Sequence, residues 1–295
     1  MPLTHALTFP VRSYECDIYG HVNQANYLRY MQEAALFASS SVGYDDAAYE
    51  KMGTIWFIRE LEIEYQNSYR FGDQVAVNTW VGDFRRVRSR RFYDLLHATT
   101  GQVAAKASAD WIYLNRETQL PAQISDEMVA AFAPNPADRV EATARREKFP
   151  DVPPVPPGAF TMTRRVEWRD IDMAQHVNHA NYLTFMEECA VQAAAARGWP
   201  FARMWEAGFG IMARKHRIEY RMQARLGDEL NVTTFLAEPR RSTVVRHFTV
   251  TRASDNALIA RAKSQFMCVD VVNSALMRFP PLFVEDFADS IAENA

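Results

Sequence analysis

Alternation of apolar and polar residues is the clearest pattern along this chain, and it predicts β-strands. In Glu60–Tyr65 every second residue is apolar, so Leu61 and Ile63 are expected on one face of a strand. Similar alternation predicts further strands at 74–81, 86–96 and 102–114, and a weaker pattern predicts one at 8–14. Residues 24–39 instead repeat apolar side chains at helical spacing, and Asn23 is the expected N-cap. The pattern therefore predicts a strand, one long helix and then a meander of four strands.

The same pattern returns in the second half of the chain at a constant shift of 155 residues, as from His21 to His176. The shift holds from about residue 9 to residue 112. A repeat of this length is as large as a domain, so it indicates the tandem duplication of a whole fold. We expect an N-terminal domain over 1–132, a proline-rich linker over 133–158 and a C-terminal domain over 159–295.

The last predicted strand of the first half carries a stripe of small residues on one face. Val103 is followed at every second position by Ala105, Ala107 and Ala109. Small side chains allow a helix to lie close against a sheet. The expected fold class is therefore α+β, with each half an antiparallel sheet wrapped around one long helix.

Composition and charge exclude several classes of protein. An apolar content of 48% and a net charge of −3 describe an ordinary globular protein and do not favour nucleic acid as a partner. No apolar run reaches about 18 residues, so we expect no membrane span and no membrane partner. The chain start shows no secretory signal and the three cysteines are scattered without a CxxC pair, so a cytoplasmic location is expected. We expect neither a metal nor a cofactor.

Both copies of the repeat place an acid, a histidine and an amide side chain directly before the long helix. These residues are Asp17, His21 and Asn23 in the first copy and Asp172, His176 and Asn178 in the second. Chemistry can be built there, because the first N–H groups of a helix lack partners within it. Structural roles remain open: the acids can favour the positive helix end, the histidines can bond the turn, and the asparagines can act as caps.

The first copy, D-x-x-G-H-V-N-x-x-x-Y, resembles the hotdog-fold thioesterases. The residues that match the motif of the 4-hydroxybenzoyl-CoA-thioesterase-like group are Asp17, Gly20, His21, Val22, Asn23 and Tyr27. The resemblance covers nearly all of the chain outside the linker. It implies a double hotdog, which is a tandem pair of hotdog domains in one chain.

The second copy is more similar to the acyl-ACP thioesterases, whose motif reads D-x-N-x-H-V-N-N. Asp172, His176 and Asn178 match that motif. The copy departs from the patterns at four places: Gln175 stands for the glycine, Ala174 for the catalytic asparagine and His179 for the last asparagine, and Ser242-Thr243 follow Arg240-Arg241 where that family has a catalytic acid or cysteine. The copies are therefore not equivalent.

The resemblance implies hydrolysis of acyl thioesters, and the residue types suit that reaction. Asp17, and in the second copy Asp172, would be the general base or nucleophile. Backbone N–H groups from His21 to Asn23 would polarise the thioester carbonyl, while either side chain would orient water or the carboxylate. Gly20 would let the thioester approach the backbone.

Two further features are candidate substrate contacts. Arg85, Arg86 and Arg88 lie in an arginine-rich strand and could bind the phosphates of coenzyme A, although a solvated edge strand explains them equally well. Tyr27 is a further candidate for substrate binding, with a place in the core as its alternative. Arg59 is unexplained, because it shares the strand parity of the inward Leu61.

The expected function is hydrolysis of acyl-CoA or acyl-ACP to free acid and thiol. The alternatives are a hotdog hydratase or dehydratase, whose D-x-N-P-x-H motif neither copy contains, and a non-catalytic acyl-thioester binding protein. The loss of glycine at Gln175 favours the first half as the active one, whereas the resemblance to acyl-ACP enzymes favours the second. Homo-oligomers of double-hotdog chains remain open.

Overall fold

The computed structural model describes residues 3–135 and 147–292. They divide into two compact units, with the boundary between Lys148 and Phe149. Residues 136–146 of the expected linker lie outside the described residues. Each unit contains an antiparallel five-stranded sheet and one long helix, so the structure has the α+β double-hotdog architecture that the sequence predicts.

The first unit follows the order strand, long helix, short helix, four strands and short helix. Its elements are β1 (Thr4–Pro10), α1 (Gln24–Ser41), α2 (Asp46–Lys51), β2 (Thr54–Tyr65), β3 (Gln74–Arg85), β4 (Arg88–His97), β5 (Val103–Asn115) and α3 (Asp126–Phe132). A 3-10 helix at Ser13–Glu15 precedes α1. The strands pair in the order β1-β3-β4-β5-β2, and every pair is antiparallel.

The second unit repeats these elements. It contains β6 (Phe160–Arg165), α4 (His179–Ala196), α5 (Phe201–Glu206), β7 (Phe209–Tyr220), β8 (Glu229–Ala237), β9 (Thr243–Arg252), β10 (Leu258–Asp270) and α6 (Pro281–Asp286). Two 3-10 helices, at Trp168–Asp170 and Ala288–Ser290, complete it. Its sheet has the order β6-β8-β9-β10-β7. The shift of 155 residues thus relates the short helices α2 and α5 as well as the strands.

The core of the first unit lies between α1 and the inner face of the sheet. Leu28 and Met31 on α1 are buried, and so are Ala105 and Ala109 on β5. The alanine stripe lies on the buried face of β5, whereas α1 lies closest to β1 and β3. The long helices also begin where expected, since the Oδ1 atoms of Asn23 and Asn178 accept from the N–H groups of Ala25 and Ala180.

The first strand lies earlier than the sequence pattern predicts. The expected strand at 8–14 is wrong at its end, because β1 stops at Pro10 and Ser13–Glu15 form a 3-10 helix. The Glu15 carboxylate accepts from the Arg12 N–H at 2.7 Å and so stabilises this turn instead of a strand. Residues 11–16 therefore lead into the site rather than extend the sheet.

A β-bulge explains the unusual parity of Arg59. Strand β2 pairs with β5 up to Ile58, and the register then shifts so that Glu60 is the next paired residue. Arg214 lies at the same place in the second unit, since the pairing of β7 with β10 skips from Ala213 to Lys215. The alternation rule fails at both arginines because a bulge inserts one residue into the strand.

The described end of the expected linker packs onto the second unit. Phe149 is buried, and the guanidinium groups of Arg261 and Arg217 lie over its ring at 4.6 and 5.4 Å. No helix among residues 3–135 and 147–292 is long and apolar enough to cross a membrane.

Candidate functional site

The first copy of the motif forms a closed turn before α1. The N–H of Asp17 donates to the carbonyl of His21 at 2.7 Å, and the N–H of Gly20 donates back to the carbonyl of Asp17 at 3.0 Å. Cys16 and Val22 form an isolated bridge at the base of the turn. The acid and the histidine are thereby held together at the N-terminal end of the long helix, as the motif predicts.

The Asp17 carboxylate is half-buried and stabilised by the turn. Its Oδ1 accepts from the N–H groups of Tyr19 at 2.9 Å and His21 at 3.3 Å. Burial nevertheless raises the pKa of Asp17 above its ordinary value, and these two hydrogen bonds oppose that change. A carboxylate with a raised pKa is a stronger base when ionised, which suits general base catalysis.

His21 is oriented by an arginine that the motif does not contain. The Nη2 of Arg70 lies 3.2 Å from His21 Nε2. Because a guanidinium has no acceptor, Arg70 must donate to Nε2, and the proton of the neutral imidazole is then on Nδ1. Burial lowers the pKa of His21, and the positive charge of Arg70 lowers it further. His21 therefore presents an N–H donor from Nδ1.

The backbone N–H groups that were expected to polarise a carbonyl are already used within the protein. The N–H of His21 donates to Asp17, that of Val22 to the carbonyl of Tyr69 at 2.8 Å, and that of Asn23 to the carbonyl of Glu15 at 2.8 Å. This expectation from the sequence is wrong for these three groups, because the turn is built from the same N–H groups. A donor to a substrate carbonyl therefore has to come from another group than these three.

The second copy forms the same turn with different hydrogen bonds. Asp172 Oδ1 accepts from the N–H of Ala174 at 2.9 Å, and its Oδ2 accepts from Asn178 Nδ2 at 3.0 Å. The N–H of Asp172 again donates to the histidine carbonyl, that of His176, at 3.2 Å. Both oxygens of Asp172 are thus engaged, one of them with the amide that also caps α4.

The second histidine has a different orientation from the first. His176 Nδ1 lies 3.2 Å from the carbonyl of Val177, which can only accept, so Nδ1 carries the proton. In the first copy the corresponding nitrogen is the one left to donate outward. The two imidazoles therefore use Nδ1 differently, and Nε2 of His176 is buried.

The backbone of the turn is the same with and without glycine. Gly20 has φ +74° and Gln175 has φ +62°, so both occupy the left-handed region. An added Cβ at Gly20 would meet no atom within 4 Å. The replacement by Gln175 is therefore accommodated at the cost of backbone strain rather than of a steric clash.

Tyr27 lies in the core of the first unit. It is 3% exposed, and its hydroxyl accepts from the N–H of Tyr69 at 3.3 Å. Tyr182 makes the same contact with the N–H of Ala224 in the second unit. The tyrosine of the motif thus connects α1 to the segment before β3 from within the core.

The hairpin between β3 and β4, which carries Arg85, Arg86 and Arg88, lies far from the Asp17 turn within the first unit. Arg86 and Arg88 are exposed where β3 turns into β4, and Arg85 is half-buried with its Nε 3.9 Å from the carboxylate of Asp83. The Asp17 turn lies beside the other end of β3, roughly 36 Å away for 11 residues of extended strand. The structure therefore does not bring Arg85, Arg86 or Arg88 together with Asp17 in that unit.

Two residues of the first site are absent from the motif. Arg70 orients His21, and the buried Glu15 accepts from the hydroxyl of Tyr30 at 2.7 Å and so anchors the turn to α1. The repeat contains a signal for the first of them, because Arg70 returns as Arg225 at the same shift of 155 residues. Within the described residues no group of three or more acidic, histidine or cysteine side chains could hold a metal ion.

In a comparison with protein families, each half of the chain matches one family model. The model of the acyl-ACP thioesterase N-terminal domain matches residues 2–132. The model of the thioesterase-like superfamily matches residues 166–287. Each match covers one long helix and its sheet.

Curated relatives include chloroplastic plant thioesterases. The palmitoyl-acyl carrier protein thioesterase of Cuphea hookeriana is 25% identical over 189 residues, which are 61% of this chain and 45% of that protein. The oleoyl-acyl carrier protein thioesterase 2 of Arabidopsis thaliana is 27% identical over 198 residues, 62% of this chain and 53% of that protein. The chain spans about half the length of the curated relatives that it matches.

Solved structures support the fold. An acyl-ACP thioesterase from Bacteroides thetaiotaomicron superposes with a TM-score of 0.68 at 19% identity, covering 89% of this chain and 97% of that one. The 12:0-ACP thioesterase from Umbellularia californica gives 0.69 at 20% identity, covering 90% and 94%. At these identities the likeness shows the fold alone. Each half of this double-hotdog chain therefore matches a thioesterase family model, residues 2–132 that of the acyl-ACP thioesterase N-terminal domain and residues 166–287 that of the thioesterase-like superfamily.

Proposed function

We propose that the protein hydrolyses acyl thioesters to free acid and thiol, with the Asp17 turn as the active site and acyl-ACP as the substrate. The observation that carries this proposal is the pairing of a half-buried Asp17 carboxylate with a histidine whose donor is fixed on Nδ1. The family matches of both halves and the names of the plant relatives support the substrate class. The cytoplasmic location expected from the sequence belongs to this proposal.

The proposed reaction uses Asp17 as general base. Its carboxylate takes a proton from water, and the oxygen of that water adds to the thioester carbonyl carbon. The carbonyl oxygen becomes an oxyanion, which accepts a hydrogen bond from His21 Nδ1. When the tetrahedral intermediate collapses, the carbon–sulfur bond breaks, and the protonated Asp17 returns its proton to the leaving thiolate.

In this proposal the second turn, at Asp172, has a structural or secondary role. Both oxygens of Asp172 already accept hydrogen bonds, and Asn178 is occupied by the carboxylate and the helix cap. His176 donates its Nδ1 proton to the backbone rather than outward.

The test is a panel of short, long and aromatic acyl groups, each offered on coenzyme A and on acyl carrier protein, with the released thiol measured. We expect thiol release from acyl-ACP that disappears in Asp17→Asn. If no member of the panel releases thiol, the protein is not a hydrolase of this class, and the hydratase or binding alternatives replace the proposal.

A further inference from the structure

A cluster of polar side chains, most of them buried, lies in the first unit beside the last turns of α1. We call it the inner polar cluster, and its members are His5, Ser39, Ser41, Tyr49, Thr54, Thr79, Arg91 and Tyr113. It lies away from the Asp17 turn, because Ser39 follows the helix cap Asn23 by 16 residues, or roughly 24 Å of helix. The proposed mechanism uses none of these residues.

Arg91 is the charged centre of this cluster. Its side chain points inward from β4 and is 6% exposed. Nη1 lies 3.3 Å from Thr79 Oγ1, and the guanidinium lies over the ring of Phe132 at 5.5 Å. No carboxylate pairs with Arg91 among the residues that the structure describes. Burial accordingly lowers the pKa of Arg91, since a buried charge without a counter-ion is costly.

Two pairs of hydroxyl groups lie in the same part of the first unit, and the charge of Arg91 acts on Tyr49 and His5 there. Ser39 Oγ and the hydroxyl of Tyr49 are 2.9 Å apart, and Thr54 Oγ1 and the hydroxyl of Tyr113 are 2.7 Å apart. The ring of Trp56 packs against that of Tyr113 at 4.7 Å. The cluster therefore combines apolar rings with polar hydroxyl groups, the chemistry that recognises an amphipathic ligand.

His5 adds an acceptor to the cluster. Ser41 Oγ donates its single proton to the carbonyl of Ala38 at 2.9 Å, so the contact of 3.0 Å with His5 Nδ1 requires that Nδ1 carry the imidazole proton. Burial lowers the pKa of His5, and the charge of Arg91 lowers it further. His5 Nε2 is buried and has no hydrogen-bond partner in the described structure.

The second unit shows that the fold does not require this polarity. Thr234 and Arg246 repeat the Thr79–Arg91 pair, with Nη1 at 3.4 Å from the hydroxyl. The remaining positions of the cluster are apolar in the second unit, where Phe160, Ala194, Ala196, Met204, Phe209 and Cys268 stand in place of His5, Ser39, Ser41, Tyr49, Thr54 and Tyr113. The threonine–arginine pair is therefore common to both halves, whereas the polar surroundings belong to the first half alone.

We propose that the inner polar cluster binds a carboxylate at the far end of a long acyl chain, so that the preferred substrate is an ω-carboxyacyl thioester. The inference rests on the proposed hydrolysis and deepens it. The carboxylate accepts from Arg91 and supplies the counter-ion that this arginine lacks within the described residues. The hydroxyl groups of Tyr49 and Tyr113, which lie in the same hydrophobic cluster as Phe132, would donate to the same carboxylate.

The test compares palmitoyl-ACP with the ACP monothioester of hexadecanedioic acid in the full chain, and thiol release gives kcat/KM for each. We expect the wild type to prefer the carboxylated substrate by about tenfold or more, the scale of one charge-assisted hydrogen bond. Arg91→Met should remove that preference, because it lowers kcat/KM for the carboxylated substrate about tenfold more than kcat/KM for palmitoyl-ACP. Arg246→Met is the matched control and should retain the preference.

A binding measurement separates this proposal from the proposed function. Binding of hexadecanedioate is followed by tryptophan fluorescence, since Trp56 packs against the cluster. Binding that weakens about tenfold in Arg91→Met but not in Arg246→Met supports the site even if no thioester is hydrolysed. Hydrolysis without any preference for the carboxylated substrate overturns the site and leaves the hydrolase standing.

Should Arg91→Met fail to fold, Tyr49→Phe removes one hydroxyl at constant ring size. It should lower the preference for the carboxylated substrate over palmitoyl-ACP several-fold. An equal effect on both substrates would mean that the cluster is structural only.

Discussion

The two turns of this protein share their backbone but differ in what their side chains hold. In the first, the Asp17 carboxylate accepts from the turn N–H groups, and Arg70 leaves the Nδ1 proton of His21 to donate outward. In the second, Asn178 donates to Asp172, and His176 donates to the backbone. A duplicated motif thus preserves its backbone geometry while the hydrogen bonds of its side chains diverge.

The comparison predicts unequal effects of removing the two acids. Asp17→Asn should lower kcat/KM by roughly 10²-fold or more, the scale of a lost general base, whereas Asp172→Asn should change it far less. Since burial raises the pKa of Asp17, the wild-type rate should rise with pH through a pKa above 3.8, as the base ionises. The measurement is thiol release across pH for both variants. The opposite ranking would place the chemistry in the second turn, and normal hydrolysis in the double variant would end the mechanism.

A second contrast lies in the cores. His216 Nδ1 and Ser264 Oγ are 2.7 Å apart and fully buried on β7 and β10, where the first unit has the apolar pair Leu61 and Ala109. Burial lowers the pKa of His216 to about 3 from an ordinary 6.5. The folded state therefore disfavours the protonated imidazole, and stability is lost as the pH falls below 6.5 towards 3.

Replacing this pair by its counterparts, His216→Leu with Ser264→Ala, should remove that loss. Between neutral pH and about pH 5 the wild type should lose roughly 2 kcal/mol of unfolding free energy more than the double variant. Urea unfolding of both proteins at the two pH values measures the difference. Equal losses would show that His216 is not the group that titrates.

Arg70 should matter more than its counterpart Arg225. Arg70→Met should lower kcat/KM about tenfold, because His21 loses the contact that fixes its donor. The same change should raise the pKa of His21, since the charge of Arg70 holds it down. An NMR titration of His21 tests this positioning role, and Arg225→Met is the control. An unchanged His21 pKa would contradict it.

The smallest effect concerns the strained residue of the second turn. Gln175→Gly should stabilise the protein by roughly 1 kcal/mol, because glycine adopts its φ of +62° without penalty. Gly20→Ala should destabilise by a similar amount through strain alone, as no atom lies within 4 Å of the added Cβ. Thermal unfolding of both variants measures this pair, and two changes of the same sign would refute the shared backbone geometry.

Much of the fold follows from local pattern. The long helices, their caps at Asn23 and Asn178 and the four meander strands were all predictable, because side-chain periodicity reports which face is buried. The end of β1 was not, since Glu15 folds residues 13–15 into a 3-10 helix. The bulges at Arg59 and Arg214 were not either, because a register shift depends on the partner strand.

The candidate site likewise contains residues that the sequence could predict and residues that it could not. Asp17, His21 and Asn23 could be named from the chain because they lie within seven residues of one another and repeat. Arg70 could not be joined to His21, because 49 residues separate them and only the turn before β3 brings them together. Arg85, Arg86 and Arg88 were expected near the substrate, yet the length of β3 separates them from the Asp17 turn.

The chain alone is enough to establish the duplication, the α+β architecture and the acid, histidine and amide before each helix, since all of these are local or periodic. Only the tertiary structure decided which N–H groups form hydrogen bonds within the protein and which imidazole nitrogen carries the proton. It also decided that Arg91 is buried with no carboxylate beside it among residues 3–135 and 147–292. Hydrogen-bond partners and burial depend on residues far apart in sequence, so two copies of one motif can differ in function while their patterns remain alike.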